Sequence, residues 1–553
     1  MKKFIAIVLV LATVLGLCAG CGGSGSNKGG KDANGNITIT IGVNTNANVI
    51  SYKDNALTKW LEEQTGYKLD VQQFSGGSDV ATQISTTVAA GKDLPDILWD
   101  INLSEKVVSS YGQEGYFLNL TPYFEDKEGA SKVFWDRMNN ELTEEQRDAV
   151  MDKITDPDTG EIYSLPTVKT SLVDSVAFMP YINTTWLDKL GLEAPTNTQE
   201  LYDVLVAFRD KDPNGNGKKD EIPLFGSQKV GNGAHAIEWL INLFMYFDED
   251  HPFQDYDGDG ELEYAYAQDS YREALKFVNK LYEEKLLTNM IYTVAQAEMR
   301  TITTPASGTT ICGIFCGHLT TMIANGSDLM YEYAPLKTWG CVNTEPVSVA
   351  LECFITETAE KNGIADECFN LMMQLYTWEG SRRVRYGEKG VNWDDPTEGA
   401  VSDYGVPADY LLIDDPFTKQ TTAMWGQIAG TISIYDEGES AELKTSDGQW
   451  AVDKSKKMAE QRKLFDEVKA EKNPAVTVGS LYPTAEEDEA IDAVRTNVSN
   501  YKTSAVKDFV LGQNGMDIDD PNDWAAFIAE LEKLGLAEYE KYATTVYTRQ
   551  TAQ

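Results

Sequence analysis

A short loop at residues 212–221 has the side-chain pattern of a site for a hard metal cation. Oxygen-bearing side chains occupy alternate positions in its first half, Gly217 permits a sharp bend, and two acids follow. A cation such as Ca²⁺ takes roughly six to eight oxygen ligands, and this spacing turns successive oxygens toward one point. A polar Asn-Gly turn without metal is the alternative interpretation. The predicted ligands of a structural calcium ion are Asp212, Asn214, Asn216, the carbonyl of Lys218, Asp220 and Glu221.

A second acidic loop, at residues 255–261, has a similar alternation of acids and glycines. Its Asp-Gly steps precede the alternating Leu262 and Tyr264, and that arrangement is typical of a hairpin turn. The hairpin is therefore the favoured interpretation, and a second calcium site at Asp255–Asp259 is left open. The first loop is similar to the first half of an EF-hand, although Pro223 stands where that motif ends in an acid.

The other reactive side chains do not form a recognisable catalytic or zinc motif. Cys312 and Cys316 lie near His318, but their spacing is not that of an ordinary pair of zinc ligands. No Ser–His–Asp, phosphate-loop or HExxH pattern stands out, so no catalytic residue is predicted. The cysteines after the N-terminal region are odd in number and lie in apolar contexts, which predicts buried or unpaired thiols: Cys312, Cys316, Cys341, Cys353 and Cys368.

The composition argues against whole classes of function. The chain of 553 residues carries 47 Lys and Arg against 87 Asp and Glu, a formal net charge of −40. A surface of that charge is repelled by phosphate backbones, so no nucleic-acid partner is expected. The hydrophobic share of 42% is that of an ordinary globular chain, and the length allows several domains with large cores.

The N-terminus has the pattern of a secretion signal followed by a cysteine that could carry a lipid. Lys2 and Lys3 precede an apolar run at 4–17, which is short for a membrane span and typical of a secretory signal. Small residues then precede Cys21, and a Gly/Ser-rich stretch follows it. This segment resembles a bacterial lipoprotein lipobox with Cys21 as the lipidated residue, although Cys18 stands where an aliphatic residue is usual. Plain secretion is the alternative.

Alternating strands and helices must position any site in the first part of the mature chain. The pattern predicts a strand at 37–43, a helix ending at Gly66, a strand at 68–74, a further helix and a strand at 94–99. This order is typical of an open parallel sheet, in which ligands bind beyond the carboxyl ends of the strands. The polar stretch 44–48 and Asp100 both lie at such ends. The stretch from Thr484 onward is predicted to be almost wholly helical, with a capping box completed by Glu487.

Several segments together resemble the extracellular solute-binding lipoproteins of ABC sugar importers, and most closely the alginate-binding and LipO-like group. The segment 181–192, the Ala-Pro-Thr at 194–196 and the loop at 212–223 match that family's pattern in order. Residues 90–96, 386–393 and the C-terminal stretch 509–547 also look like theirs. The resemblance covers nearly the whole mature chain, and members of this group carry a calcium ion in the 212–223 loop.

The resemblance implies an α/β, two-lobe periplasmic-binding-protein-like fold of class II type, with hinges and a ligand cleft between the lobes. It also implies delivery of a captured oligosaccharide to the transmembrane subunits of an ABC permease, by a monomer anchored through palmitate-type lipidation on the extracytoplasmic face of the cell membrane. The expected organisation is a signal peptide at 1–20, a tether at 21–36, lobe 1 at 37–166, lobe 2 with the calcium loop at 173–346, a lobe 1 return at 353–425 and a helical C-terminal part at 430–553, mainly in lobe 2.

Candidate sugar contacts follow from this implied cleft. Aromatic faces pack against the C–H faces of sugar rings, while amides, acids and basic groups bond the hydroxyls. The tryptophans lie at strand ends or in glycine-flanked loops, although a packed core Trp is the alternative for each, and His318 could instead be a helix cap. The expected ligand-binding residues are Asn44, Asn46, Trp99, Asp100, His318, Trp393 and Trp425.

Two other functions remain open at this point. A peptide- or amino-acid-binding lipoprotein of an ABC importer would share the fold and differ only in the cleft. A surface glycoside hydrolase would need a pair of carboxylates, and with 87 acids in the chain such pairs decide nothing. The acidic composition suits a neutral oligosaccharide better than a uronate, although a lysine such as Lys169 in the cleft could reverse that locally.

Overall fold

The fold was analysed in a computed structural model that describes most of the mature chain. The described residues are 29–74, 80–170, 176–231, 233–343, 347–402, 407–414, 420–433, 441–443 and 448–552. The predicted signal peptide, the predicted lipidation site Cys21 and the first part of the predicted tether lie outside the described residues.

The first part of the chain forms the predicted succession of strands and helices. Its strands are β1 (Gly30–Lys31), β2 (Ile37–Asn44), β3 (Lys68–Phe74), β4 (Ile97–Trp99) and β5 (Leu165–Lys169). Its helices are α1 (Ala56–Thr65), α2 (Val80–Ala89), α3 (Glu105–Gln113), α4 (Thr121–Glu125), α5 (Lys132–Glu141) and α6 (Glu144–Ile154). Helix α1 ends at Gly66, whose φ of 73° is the left-handed conformation that glycine adopts most easily.

The central part forms a second α/β unit. Its strands are β6 (Pro180–Asn183), β7 (Ile222–Phe225), β8 (Phe253–Gln254), β9 (Glu263–Tyr264), β10 (Cys312–Cys316) and β11 (Tyr333–Pro335). Its helices are α7 (Thr184–Leu190), α8 (Thr198–Asp210), α9 (Ala236–Asn242), α10 (Asp269–Glu283), α11 (Gln296–Thr303) and α12 (Leu319–Met322), with 3₁₀ turns at Ala265–Ala267 and Asp328–Glu332.

The last part returns to the first unit and ends in long helices. Its strands are β12 (Ser348–Ile355), β13 (Trp393–Asp394), β14 (Tyr410–Leu412), β15 (Ile432–Ser433) and β16 (Ala441–Leu443). Its helices are α13 (Glu357–Lys361), α14 (Ala365–Leu375), α15 (Trp378–Tyr386), α16 (Gly448–Lys472), α17 (Ala485–Leu511), α18 (Pro521–Lys533) and α19 (Leu536–Thr551). The predicted capping box of Thr484 and Glu487 starts α17.

Two separate sheets define two α/β lobes, as a two-lobe binding fold requires. In lobe 1 the strand order is β1-β2-β4-β12-β5-β15, with β3 also paired to β2. The pairing of β2 with β3 and β4 is parallel, as the strand and helix order predicts. In lobe 2 the order is β11-β6-β10-β7. Among the described residues, no helix is both long and apolar enough to cross a membrane.

The hydrophobic cores show which lobe each part of the chain joins. Helices pack on both faces of the lobe 1 sheet, so that Ile97 and Trp99 face one core and Leu98 faces another. Lobe 2 has a single large core that also includes Phe465 of α16 and Phe509 of α17. The long C-terminal helices therefore belong to lobe 2.

The chain passes between the lobes three times. It leaves the lobe 1 core after Val168 and enters the lobe 2 core at Phe178, and it returns between Val342 and Val347. The last passage lies between Ile432 in lobe 1 and Trp450 in lobe 2. The lobe 1 strands next to these passages, β5, β12 and β15, are neighbours in one sheet.

Candidate functional site

The carboxyl ends of β2 and β4 bring two polar side chains to one edge of the lobe 1 sheet. Val43 pairs with Trp99, so Asn44 and Asp100 follow neighbouring parallel strands at the same level. Asn44 Oδ1 and Asp100 Oδ2 are both buried, and neither has a hydrogen-bond partner among the described residues. Buried polar groups are nearly always bonded, so two unpaired acceptors mark a place that a hydrogen-bond donor can fill.

Asp100 is held in an unfavourable state in two respects. Its φ of 59° lies in the left-handed region, which aspartate tolerates better than most residues. Burial raises the pKa of its carboxyl to about 7, with a further rise from the charge of Glu352 and an opposing effect of Lys169. Strain and a perturbed pKa at one residue are typical of functional positions.

Glu352 completes this polar cluster, and the sequence analysis did not predict it. The register of β12 against β5 slips between Leu351 and Cys353, which makes Glu352 the extra residue of a β-bulge. Bulges often redirect a side chain next to a functional site. Its carboxylate accepts a hydrogen bond of 3.0 Å from Thr167 Oγ1, and burial raises its pKa. The sequence contains one signal for Glu352: it is the single acid within an otherwise uncharged strand, 348–355.

The tryptophans expected at this edge are core residues, which corrects the prediction that their faces bind sugar. Trp99 and Trp425 pack edge to face with ring centroids 5.1 Å apart, and both are at most 1% exposed. Their indole N–H groups donate to Ala429 O at 3.1 Å and to Thr58 Oγ1 at 2.9 Å. With both faces covered, these rings leave no face for a ligand.

Asn46 also has a structural role in this conformation. Its Nδ2 donates to Gly426 O at 2.8 Å, and its Oδ1 accepts from the backbone N–H of Asn48 at 2.8 Å. Tyr52 fixes the same loop, because its hydroxyl accepts from Asn46 N at 3.0 Å and donates to Asn44 O at 3.3 Å. Asn46 thus joins the β2 loop to the 426 segment, while Asn44 keeps an unpaired oxygen.

Trp393 lies away from this cluster. It packs with Tyr386 and Tyr410 in a small separate core, is 1% exposed, and donates its indole N–H to Gly387 O at 3.0 Å. The prediction of a free sugar-stacking face is therefore wrong for Trp393 in this structure. Its glycine-flanked sequence reflects a tight turn: a Cβ at Gly387, where φ is 89°, would come within 2.8 Å of Asn392 Oδ1.

His318 follows β10 in lobe 2, at the carboxyl end of that strand. Its Nδ1 accepts from the backbone N–H of Thr320 at 3.3 Å, so the imidazole caps α12. Burial lowers its pKa to about 4, and Lys454 adds to that effect. The ring is therefore neutral at physiological pH. Because Nδ1 is an acceptor, Nε2 carries the proton and can donate a hydrogen bond.

The loop 212–221 is folded around its own side-chain oxygens. Asp212 Oδ1 and Oδ2 accept from the backbone N–H groups of Asn216 at 3.1 Å and Gly217 at 3.0 Å, and Asn214 Oδ1 accepts from Asn216 N at 2.9 Å. Glu221 Oε1 is buried without a hydrogen-bond partner among the described residues. Burial raises the pKa of Glu221, and the nearby charges of Asp212 and Asp220 raise it further. An orphaned carboxylate oxygen with two other acids nearby fits a hard cation.

The second acidic loop is the predicted hairpin, since β8 and β9 pair antiparallel on either side of it. Its acids nevertheless converge, because one carboxylate oxygen from each of Asp255, Asp257 and Asp259 lies within 4.8 Å of the others. The hairpin alone accounts for the glycines and the backbone turns. A second cation there stays open.

The five cysteines that the structure describes are all free thiols. Burial raises the pKa of the Cys341 thiol to about 11, and it raises the pKa of the other four as well. Protonated, buried thiols are poor nucleophiles and poor metal ligands. Cys312, Cys316, Cys353 and Cys368 are core residues, whereas Cys341 is half-buried.

A cavity of about 330 Å³ lies where lobe 1 meets the C-terminal helices of lobe 2. At its rim the carboxylate of Asp158 accepts from the backbone N–H of Ala485, at 3.0 and 2.8 Å, and Lys106 Nζ lies 3.4 Å from Asp488. None of the predicted ligand residues lines this cavity. It is separate from the Asn44–Asp100–Glu352 cluster, although Leu351, the neighbour of Glu352, reaches it.

Parts of the sequence are similar to known bacterial proteins. Residues 46–304 match the family model described as bacterial extracellular solute-binding protein. The fructooligosaccharide ABC transporter substrate-binding protein FusA of Streptococcus pneumoniae is 32% identical over 232 residues, and Lipoprotein LipO of Bacillus subtilis is 26% identical over 286 residues. These alignments cover 41% and 52% of this chain, and only 40% and 51% of the relatives.

The likeness of fold extends over nearly the whole chain. FusA in complex with kestose superimposes with a TM-score of 0.69 at 20% identity, covering 93% of this chain and 99% of that one. An HMO-binding, ABC-transporter-associated solute-binding protein of Bifidobacterium longum infantis gives 0.71 at 21% identity, covering 93% and 99%. A structure of FusA described as an EF-hand mutant, in complex with fructo-nystose, gives 0.69 at 20% identity, also covering 93% and 99%.

The raised pKa of Asp100 makes a pH-dependent prediction for the Asp100→Asn variant. The folded state holds the proton more tightly than the unfolded state, so the stability that this proton contributes is present at low pH and is lost as pH rises toward 7. Asparagine removes the buried charge and tolerates the left-handed backbone. Chemical denaturation should show the variant gaining, relative to wild type, about 2 kcal/mol more at pH 8 than at pH 5.

The exposed Asp148 on α6 provides the matched control. Asp148→Asn removes an exposed carboxylate, so its difference from wild type should change much less between the two pH values than that of Asp100→Asn. Equal behaviour of the two variants would show that Asp100 is not a desolvated carboxyl.

Proposed function

We propose that this chain, a relative of the bacterial extracellular solute-binding proteins, captures an oligosaccharide between its lobes and delivers it to an ABC transporter. FusA and the Bifidobacterium protein are named for oligosaccharide binding, and both have this two-lobe fold. Because the aligned relatives are matched over about half their length or less, the ligand class for this chain is argued from its own residues.

One observation carries the proposal: the unpaired acceptors at the carboxyl end of the lobe 1 sheet. Asn44 Oδ1, Asp100 Oδ2 and the bulged Glu352 together offer amide and carboxylate oxygens beside the hinge strands. Sugar hydroxyls are donors that match such acceptors, and carboxylates form the stronger, charge-assisted bonds. Lys169 offers a donor to the same cluster, which keeps its net charge at about one negative unit.

An anionic ligand fits this cluster less well than a neutral one. The charges of Asp100 and Glu352, when both are ionised, would repel a uronate carboxylate or a peptide C-terminus, and Lys169 offsets only one of them. We therefore infer a neutral oligosaccharide, bound without cleavage. A peptide or amino-acid ligand is the alternative within the same fold.

Thermal unfolding with candidate ligands tests the proposal. A neutral oligosaccharide at about 100 times its Kd adds about 2.7 kcal/mol to the free energy of unfolding and should raise the midpoint by a few degrees. Uronate oligosaccharides and short peptides should leave it unchanged, and chromatography should recover the sugar intact. A shift by peptides alone would overturn the ligand class, and released cleavage products would favour a hydrolase using Asp100 and Glu352.

Two variants connect the binding to the cluster. Asp100→Asn and Glu352→Gln each replace a charged acceptor by a neutral amide, which should weaken sugar binding by about 10- to 100-fold in calorimetry. Asp148→Asn on the exposed face of α6 should bind as wild type does. Full affinity in both cluster variants would place the sugar elsewhere, for example in the cavity near Asp158.

A structural calcium ion in the 212–221 loop is the second element of the proposal. The charges of Asp212 and Asp220 act on Glu221, which keeps an orphaned oxygen, so the predicted ligands would hold the ion. The FusA structure described as an EF-hand mutant supports a cation loop in a protein of this fold. Bound calcium would supply the charge that compensates Asp212, Asp220 and Glu221.

Calcium removal should lower the unfolding midpoint, because an ion that binds only the folded state stabilises it. In Asp212→Asn, EDTA should cause a much smaller drop than in wild type. Asp255→Asn, in the hairpin loop, should keep the full response if the 212–221 loop holds the only calcium ion. Equal EDTA responses in wild type and Asp212→Asn would contradict the site.

Membrane attachment through Cys21 is the third element. The lipobox-like sequence supports it, and LipO is by name a lipoprotein. Acyl chains contribute about 0.8 kcal/mol per buried methylene, so a doubly or triply acylated cysteine holds a protein firmly. The Gly/Ser-rich stretch after Cys21 would leave the lobes free to reach a permease.

The Cys21→Ala variant tests this anchor. When the chain is expressed in a Gram-positive host fed labelled palmitate, wild type should carry the label and sediment with membranes. The variant should lose the label and move to the soluble fraction. Cys18→Ala is the control and should stay labelled and membrane-bound, while equal labelling of wild type and Cys21→Ala would contradict the assignment.

A further inference from the structure

A cluster of one histidine and two glutamates lies in lobe 2, away from the lobe 1 polar cluster and the 212–221 loop. His235 precedes α9, Glu238 lies within α9, and Glu249 follows in the loop after it. One ligand atom from each of the three lies within 4.8 Å of the others. Imidazole nitrogen with carboxylate oxygens is a donor set that first-row transition metals, and zinc in particular, bind well.

Glu238 is the buried centre of the cluster. It is 1% exposed, and its Oε1 accepts from Asn343 Nδ2 at 2.6 Å and from Glu249 N at 3.1 Å. Its Oε2 lies 3.3 Å from His235 Nδ1, a long separation for a hydrogen bond. Two ligands about 2.1 Å from a tetrahedral zinc ion are themselves separated by about 3.4 Å. The Oε2–Nδ1 edge therefore has the length of a zinc-ligand edge.

Asn343, next to Glu238, carries a buried polar atom without a partner in the described part of the chain. It is 6% exposed, and its Nδ2 bond to Glu238 holds the amide at the cluster. The Oδ1 of the same amide is buried without a hydrogen-bond partner among the described residues. A buried amide oxygen that finds no donor is costly unless a cation or a water meets it.

The charges around the cluster are mainly negative, which favours a bound cation. The negative charges of Asp248, Glu249 and Asp250 act on Glu238 or His235. Lys502 Nζ lies 3.9 Å from Glu249 Oε1 and bonds Tyr266 at 3.1 Å. His251 Nδ1 is 2.9 Å from Asp248 Oδ2. The acids therefore outnumber the positive charges.

We propose that His235 Nδ1, Glu238 Oε2 and a Glu249 carboxylate oxygen bind one divalent transition-metal ion, with Zn²⁺ as the preferred occupant. Asn343 Oδ1 or a water supplies the remaining contact. Asn343 lies just after Val342 of the lobe 2 core, where the chain passes toward lobe 1. The ion would thus fasten α9 to the start of the second passage between the lobes, a structural role distinct from sugar contact.

Zinc titration of the metal-stripped protein, with its calcium restored, tests this site. Wild type should bind one Zn²⁺ per chain by calorimetry and elemental analysis, and zinc should raise its unfolding midpoint by several degrees. His235→Gln and Glu238→Gln should each weaken binding by about 10-fold or more. His251→Gln removes the neighbouring histidine outside the cluster and should bind zinc as wild type does.

Further variants and the wild type itself give results that would support or contradict this zinc site. Glu249 is exposed, so Glu249→Gln should fold normally and still lose zinc affinity, which separates ligand loss from misfolding. Unchanged zinc binding in both His235→Gln and Glu249→Gln would overturn the site. Failure of wild type to bind zinc at micromolar concentrations would do the same, and would leave His235 and Glu238 as a hydrogen-bonded pair. Loss of zinc binding in Asp212→Asn instead would place the ion in the calcium loop.

Discussion

The position of three strands in one sheet is the constraint on which the rest of this structure depends. Strands β12, β5 and β15 are hydrogen-bonded neighbours in lobe 1, and each stands next to a passage of the chain into lobe 2. Their backbone bonds hold the lobe 1 ends of the three passages side by side. The same strands carry Thr167, Lys169 and Glu352, so the polar cluster and the hinge share one scaffold.

The polar cluster stores unfavourable free energy that the surrounding core offsets. Asp100 is desolvated and has a left-handed backbone, and its Oδ2 and Asn44 Oδ1 lack partners among the described residues. Beneath them, Trp99 and Trp425 are fully packed with satisfied indole N–H groups. A site that is rigid before its ligand arrives loses little entropy on binding, which favours affinity. The tryptophans thus contribute rigidity to this edge of the sheet, and their own faces are covered.

The two acidic loops share one local hydrogen-bond pattern, which does not by itself indicate a cation. In each loop the first aspartate accepts from the N–H of the glycine five residues later: Gly217 to Asp212 at 3.0 Å, and Gly260 to Asp255 at 3.1 Å. The turn chemistry is therefore the same with or without a cation. The loops differ in the strands around them, because β8 and β9 pair on either side of the second loop and close it as a hairpin. By contrast, the His235 cluster joins α9, a loop and Asn343, and no sequence motif indicates it.

The sequence alone determined the features that depend on neighbouring residues. These include the β2-α1-β3-α2-β4 order, the end of α1 at Gly66, the Thr484–Glu487 capping box and the polar residues at the ends of β2 and β4, because periodicity, caps and turns act over a few residues. Only the tertiary structure decided which tryptophans are buried and that Glu352 joins Asp100. Trp99 bonds Ala429, which is 330 residues away, and Asn46 bonds Gly426, which is 380 residues away. Such contacts arise when a late segment returns to complete an early sheet, and burial and pKa follow from that return.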